Sequence, residues 1–491
     1  MSLFLTDLDQ WDEEYLQSSP AHQYEMVKEA IARPIPLDYA EEADLGIIAV
    51  EMWDLLVNAN QIEECFLFAE TLRLQQPDFF HQEFQYYATF FVQYHLFHGQ
   101  MDALQDVLKY FYDQPDEAIE ELLKILEYLQ FYEVHEPLVE LCQAVYQPVK
   151  NSPKLLRGTE TCFTAVLIFD TFDQLDQRIQ RGEAIDWDAV GADLEQYGFE
   201  NTESIMAEIA YDLTAVLEVG IGEDPEFYQR LEQSSSSALR HLVMGFCRYM
   251  KRRYQISFKC SRLIWETIQP LLNRQYFSDS DDDYDGRENV LSSVDELNQY
   301  FAIDHKELDR YLYNLIVSLL SRRQAAGFAL VWGIPYLYEF LRSRQVIDEE
   351  VFQGAIAESQ NFKTSLREGL SKYLWQYDFV HRWPCPDSVP EDEFAAEAEQ
   401  FAASIHQREP LSDQIVVRPN LDEAISQLAD KIVPPNPQPT HPAEQGFETT
   451  ALPTWKPPKP RKSPLQEVSE LNKKKTKSKK SSKKKSGKGF S

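Results

Sequence analysis

Apolar residues recur every three to four positions through most of the chain, and no comparable run alternates with the two-residue period of a strand. In 116–129, Ile119, Leu122, Leu123 and Leu126 fall at i, i+3, i+4 and i+7, which gathers them into one stripe along a helix. Leu239, Leu242, Val243, Phe246 and Met250 make a second such stripe. Ser293 followed by Glu296 precedes Leu297, Tyr300 and Phe301. A serine hydroxyl there accepts from an otherwise orphaned first-turn amide, so this pattern marks a helix start. Thr6 with Asp9 reads as the start of the first helix, Pro115 as a first-turn proline, and Glu120 as an ion-pair partner of Lys124 one turn on. The pattern predicts an all-α fold.

Within 46–146 the helical segments are interrupted by short polar turns at 58–61, 98–100 and 133–135. These are spaced roughly 35–39 residues apart, as helix–turn–helix repeats are. Trp53 and Leu56 fit the W-x-x-L opening of a tetratricopeptide repeat and Ala69 fits its small position, while Val57 stands where glycine belongs and Arg73 where an aromatic belongs. The stretch resembles tetratricopeptide-type arrays. That resemblance implies helical hairpins that bury their faces only by stacking on their neighbours, an α-solenoid. The expected organisation is a paired-helix region over 1–150, a second helical region over 151–385, a linker with two amphipathic helices over 386–439, and a disordered tail over 440–491.

Nine aromatics crowd 79–97. A helix apolar on most sides is usually internal, so a core role is preferred. The alternative is a partner groove formed by Phe80, Phe84, Tyr87, Phe91 and Tyr94. His95 and His98 lie one turn apart beside it, without a third ligand to suggest a metal site. The uncharged stretch 324–338 is too short for a membrane span and is broken by Pro335, so it reads as a buried core helix. After Pro384, Pro386 and Pro390 two amphipathic helices are expected. Phe394, Ala398, Phe401 and Ile405 form the first, expected to dock on the body; Leu421, Ile425, Leu428 and Ile432 form the second, for which docking and partner binding stay open.

Charge changes the picture more than composition does. The net charge is −34, yet 14 Lys/Arg and two acids lie from Lys456 onward, leaving 33 Lys/Arg against 79 Asp/Glu before it. A body that acidic repels nucleic acid and anionic membrane. The tail, with Lys473, Lys474, Lys475, Lys483, Lys484 and Lys485 in its lysine run, suits a polyanion or the chain's own acidic part. Inside the body one basic cluster stands out: Arg248, Lys251, Arg252, Arg253, Lys259 and Arg262, interleaved with Tyr249, Tyr254 and Phe258. Basic residues among aromatics can hold phosphates and stack bases, but in acidic surroundings they more often pair with acids. Six scattered cysteines without CxxC spacing and an acidic N-terminus point to a reducing compartment, expected to be the cytoplasm.

Candidate chemistry is thin. Asp281, Asp283, Asp285 and Gly286 match the first half of a calcium-binding loop, but its twelfth position, where a bidentate Glu belongs, is Ser292. Metalloprotease, serine-hydrolase and P-loop motifs are missing, and the 17 glycines include no dinucleotide fingerprint. Neither a catalytic site nor a cofactor is expected. The expected function is a non-enzymatic helical scaffold or adaptor for another protein. The alternatives are a nucleic-acid- or ribosome-associated protein working through its tail and, behind it, an enzyme or calcium-binding protein.

Overall fold

The structure, a computed structural model, describes residues 3–112, 115–214, 227, 235–277, 291, 293–317 and 323–405. It is all-helical, with no strand among the described residues. By its contacts the chain divides into two units, Met1–Val417 and Arg418–Ser491. The second amphipathic segment, residues 281–286 and the lysine run lie outside the described residues.

Short polar side chains set many of the helix starts. Asp7 Oδ1 accepts the Gln10 amide at 3.1 Å, so the cap of helix Leu8–Leu16 lies one residue beyond Thr6. Ser293 accepts the Glu296 amide at 3.2 Å to open Val294–Phe301, as its sequence pattern requires. Asp348 does the same for Glu349–Gly369 through the Val351 amide at 2.9 Å. Near Pro115 the helix begins only at Ile119, and Lys124 pairs with Glu121 at 2.6 Å rather than with Glu120.

The three polar turns of 46–146 fall between helices as read. Leu45–Asn58 is followed by Ile62–Gln75, Pro77–His98 by Met101–Leu108, and Ile119–Phe131 by Glu136–Asn151. The chain reverses through left-handed residues at Asn60 (φ 52°), Gly99 (φ 67°) and Glu133 (φ 57°). Trp53 joins neighbouring helices, its ring 4.3 Å from Phe90 and 5.2 Å from Tyr87.

At the centre, Gln324–Ser343 is buried continuously from Ala325 to Leu341. Seventeen consecutive residues of this helix are thereby internal, as the stretch 324–338 predicts. It lies close to Phe258–Phe277 at Gly333, where an added Cβ would stand 2.6 Å from Ile264 Cγ2. Ser359 Oγ donates to Val331 O at 2.7 Å and ties Glu349–Gly369 to the same helix.

Glu133 joins the first hairpins to the later helices. Its carboxylate accepts the amide and hydroxyl of Ser257, each at 3.0 Å, at the start of Phe258–Phe277. An anion there complements the helix dipole. The chain then returns across the same seam. Trp383 Nε1 donates to Phe131 O at 3.0 Å, Tyr336 OH donates to Pro384 O at 2.6 Å, and Asp387 pairs with Arg253 at 2.7 Å. Glu391–Ile405 packs on the body through Phe401 and Ile405, and Asn60 Nδ2 donates to Ile405 O at 3.0 Å. The proline cluster at 384–390 is thus a corner within the fold, which continues to Ile405.

Candidate functional site

The basic cluster is largely taken up by acids. Asp170, Asp173 and Asp176 recur every three residues along Thr161–Gln180, which sets them along one edge of that helix. Arg248 Nε is 2.6 Å from Asp176, and its terminal nitrogen donates to Leu213 O at 2.7 Å. Lys251 lies 2.9 Å from Asp173, and Lys259 pairs with Asp170. Arg248, Lys259 and Asp176 are buried. Arg262 pairs with Glu266 at 2.6 Å and rests over the Phe169 ring, and Arg253 is the partner of Asp387. Arg252 is exposed. Arg323 does not extend a basic face, because its Nε lies 2.6 Å from Glu127. Through these pairs Arg248, Lys251 and Lys259 tie three helices together.

In the aromatic helix Pro77–His98, Phe80, Tyr87 and Phe91 are buried and Tyr94 is partly buried, stacked on Phe66 at 4.4 Å. The side chain of Phe84 lies outside the described residues. Phe80 and Phe91 also line a cleft of about 420 Å³ with Phe66, Arg73, Asp106 and Tyr110. His95 borders it, with Nδ1 2.8 Å from Gln100 Oε1, and burial lowers its pKa. Core and cleft are therefore not exclusive here: the same rings do both. Among the described residues no group of three or more His, Cys, Asp or Glu side chains is arranged to hold a metal ion. Burial raises the thiol pKa of Cys65, Cys142, Cys247 and Cys260, which keeps them in the unreactive form. Among the described residues no helix is long and apolar enough to cross a membrane.

A larger cleft, of about 1040 Å³, lies among Thr161–Gln180, Ser235–Tyr254 and Phe258–Phe277. Thr161, Ala165, Ile168 and Phe172 supply one wall at helical spacing, and Leu239, Val243 and Met244 supply another. Polar groups stand among them. Arg240 is half-exposed and holds Asp212 at 2.6 Å and Glu208 at 3.4 Å. Arg262 and Arg274 also line the space, the latter 3.2 Å from Glu307. Burial raises the pKa of the Asp212 carboxyl, and Arg240 opposes that rise. Its described residues offer apolar contact and guanidinium donors.

Sequence reasoning missed this cleft. The available signal was the helical recurrence of Ala165, Ile168 and Phe172. Nothing local says that three helices diverge there. Set beside known proteins, the chain has no match to a family model, to a curated protein or to a solved structure.

Proposed function

We propose that this chain is a non-enzymatic helical scaffold or adaptor that holds a segment of another protein in the cleft along Thr161–Gln180. The observation that supports this reading is the cleft itself: about 1040 Å³, walled by Ala165, Ile168, Phe172 and Val243. Apolar grooves between helices accept the apolar face of an incoming helix, with a few polar groups fixing its register. The hairpins of 46–146 fit the same reading as a stack of paired helices in the manner of a solenoid, with the smaller cleft beside Phe80 and Phe91 as a second contact point. The test compares proteins retained by the full chain and by a Val243→Asp variant with an unchanged circular dichroism spectrum. Selective loss of a partner from the variant is expected. Identical retention by both proteins sinks the proposal.

A second reading comes from the lysine run 473–485. Ten lysines follow residue 472 with no acid among them, a composition suited to RNA, DNA or another polyanion. The two readings are compatible, since they use different parts of the chain.

A further inference from the structure

We infer that the helix Glu391–Ile405 is an acid-sensitive latch, which closes over the neutral imidazole of His381 and opens when that ring takes up a proton.

Geometry is the first argument. Phe394, Glu397 and Phe401 stand at i, i+3 and i+7, so one face of the helix presents all three. Each meets the same ring. The centroids of Phe401 and Phe394 lie 4.7 Å and 5.8 Å from that of His381, and Glu397 Oε1 lies 3.6 Å from Nε2. Trp332 of the central helix stands against the imidazole edge-on at 6.2 Å. The His381 side chain is thereby only 9% exposed, and neither ring nitrogen has a hydrogen-bond partner among the described residues. Closing over a polar ring in this way is unfavourable, and opening returns both nitrogens to water. The seam that opposes opening is narrow, since only Phe401 and Ile405 of the fifteen residues are buried.

Charge sets the direction of the response. Glu397 is already engaged, with Trp332 Nε1 donating to Oε1 at 2.6 Å and Lys363 Nζ donating to Oε2 at 3.1 Å. The Lys363 side chain is itself only 7% exposed. Arg367, from the same helix as Lys363, donates to Gln400 Oε1 at 3.1 Å. On the short helix of His381, Asp378 and Arg382 pair with each other at 2.7 Å. An imidazolium under the closed latch therefore adds a second buried cation beside Lys363, with the one Glu397 carboxylate between them. Desolvating two cations for one anion is unfavourable. Burial accordingly lowers the pKa of His381 to about 4, against the upward pull of Glu397 and with Lys363 and Arg367 adding to the lowering. Uncovered, the ring titrates near 6.5. The closed form has the lower pKa, so closure is fully favoured above about pH 6.5 and weakens as pH falls toward 4. Opening bares the Phe328 and Trp332 rings of the central helix, which Phe401 and Glu397 meet in the closed form.

The experiment is amide hydrogen exchange on the full chain at pH 7 and pH 5, corrected for the change of intrinsic exchange rate with pH. It compares residues 395–405 with the central helix Gln324–Ser343. The opening constant of 395–405 is expected to rise about twentyfold from pH 7 to pH 5, as the two pKa values require, while Gln324–Ser343 keeps its protection. His381→Phe keeps a ring but has no proton to take up, and its opening is expected to stay constant within about twofold. His381→Gln, which is also non-titrating, serves if the ring replacement does not fold. An equal rise in the parent chain and the non-titrating variant overturns His381 as the trigger. Tighter closure at pH 5 overturns the latch, because the imidazolium would then be holding the helix through Glu397. A loss of protection shared equally by Gln324–Ser343 overturns it as well, since the acid response would belong to the whole body.

Discussion

Arg248 and Asp176 illustrate how a charge can be plain in a sequence while its role is hidden. Arg248 is 6% exposed and Asp176 fully buried, 2.6 Å apart. Removing one member of such a pair strands the other in a medium that solvates it poorly. Asp176→Asn is therefore expected to cost about 3–5 kcal/mol, measured as a lowered urea midpoint with an unchanged slope. A loss below about 1 kcal/mol would place this pair with ordinary surface bridges. The basic cluster was legible as a cluster, but its partners were not, because carboxylates are abundant everywhere in the chain. The three-residue spacing of Asp170, Asp173 and Asp176, on a helix that also has an apolar face, was the available clue. His381 makes a second residue-scale prediction. Its ring packs against Trp332, Phe394 and Phe401, and Nε2 lies 3.6 Å from Glu397 Oε1. Burial pushes its pKa down to about 4, Glu397 pulls upward, and Lys363 and Arg367 add to the lowering. The folded state thus keeps the imidazole neutral where the unfolded chain, near 6.5, takes up a proton. Stability from this site is full above about pH 6.5 and falls as pH drops toward 4, by about 3 kcal/mol at most. Denaturation midpoints from pH 7 to pH 4 should fall less steeply for His381→Phe than for the parent chain. Parallel slopes would remove His381 as the cause.

The same neighbourhood decides how Glu391–Ile405 behaves as an element. Of its fifteen residues only Phe401 and Ile405 are buried. Its polar attachments include Trp332 Nε1 to Glu397 at 2.6 Å, Lys363 to Glu397 at 3.1 Å, Arg367 to Gln400 Oε1 at 3.1 Å and the Asn60 side-chain amide to Ile405 O. A helix held by so narrow a seam opens at lower free energy than the core. Phe401→Ala, which removes a ring from a site 1% exposed, is expected to cost about 3–5 kcal/mol locally. Hydrogen exchange is the appropriate measurement. Protection should fall across 391–405 while Gln324–Ser343 keeps its own, and a uniform loss throughout the body would show that this helix does not open separately. Its docking was foreseeable because Phe394, Ala398, Phe401 and Ile405 share one face. Turns were legible too, since Asn60, Gly99 and Glu133 fall in short polar breaks between apolar runs. Helix starts were less so: Thr6 and Pro115 were plausible starts, but Asp7 supplies the actual cap and the chain turns helical only at Ile119. Choosing between neighbouring caps depends on the path of the preceding chain, which a local pattern does not contain.

At the scale of the whole molecule, the division of charge was readable from sequence alone, and the fold sharpens what it implies. Within the body, Arg248, Lys251, Arg253, Lys259 and Arg262 each face a carboxylate. For the buried Arg248 and Lys259, binding phosphate would exchange one anion partner for another. We propose that affinity for a polyanion resides in the lysine run beyond residue 472. Binding of that kind is driven by counterion release, so its affinity falls as a power of salt concentration set by the number of phosphates contacted. With labelled poly-uridine RNA, raising salt from 50 to 200 mM is expected to weaken binding to the full chain by at least tenfold, assuming a handful of lysine–phosphate contacts. Deleting residues 472–491 removes ten lysines and should abolish binding at both salt concentrations. Arg253→Ala, which breaks only a half-exposed pair with Asp387, should leave affinity and salt slope unchanged. Were the deletion to bind RNA as the full chain does, with Arg253→Ala weakening it, the polyanion contact would belong to the body, and the internal pairing of the cluster would have to open on binding.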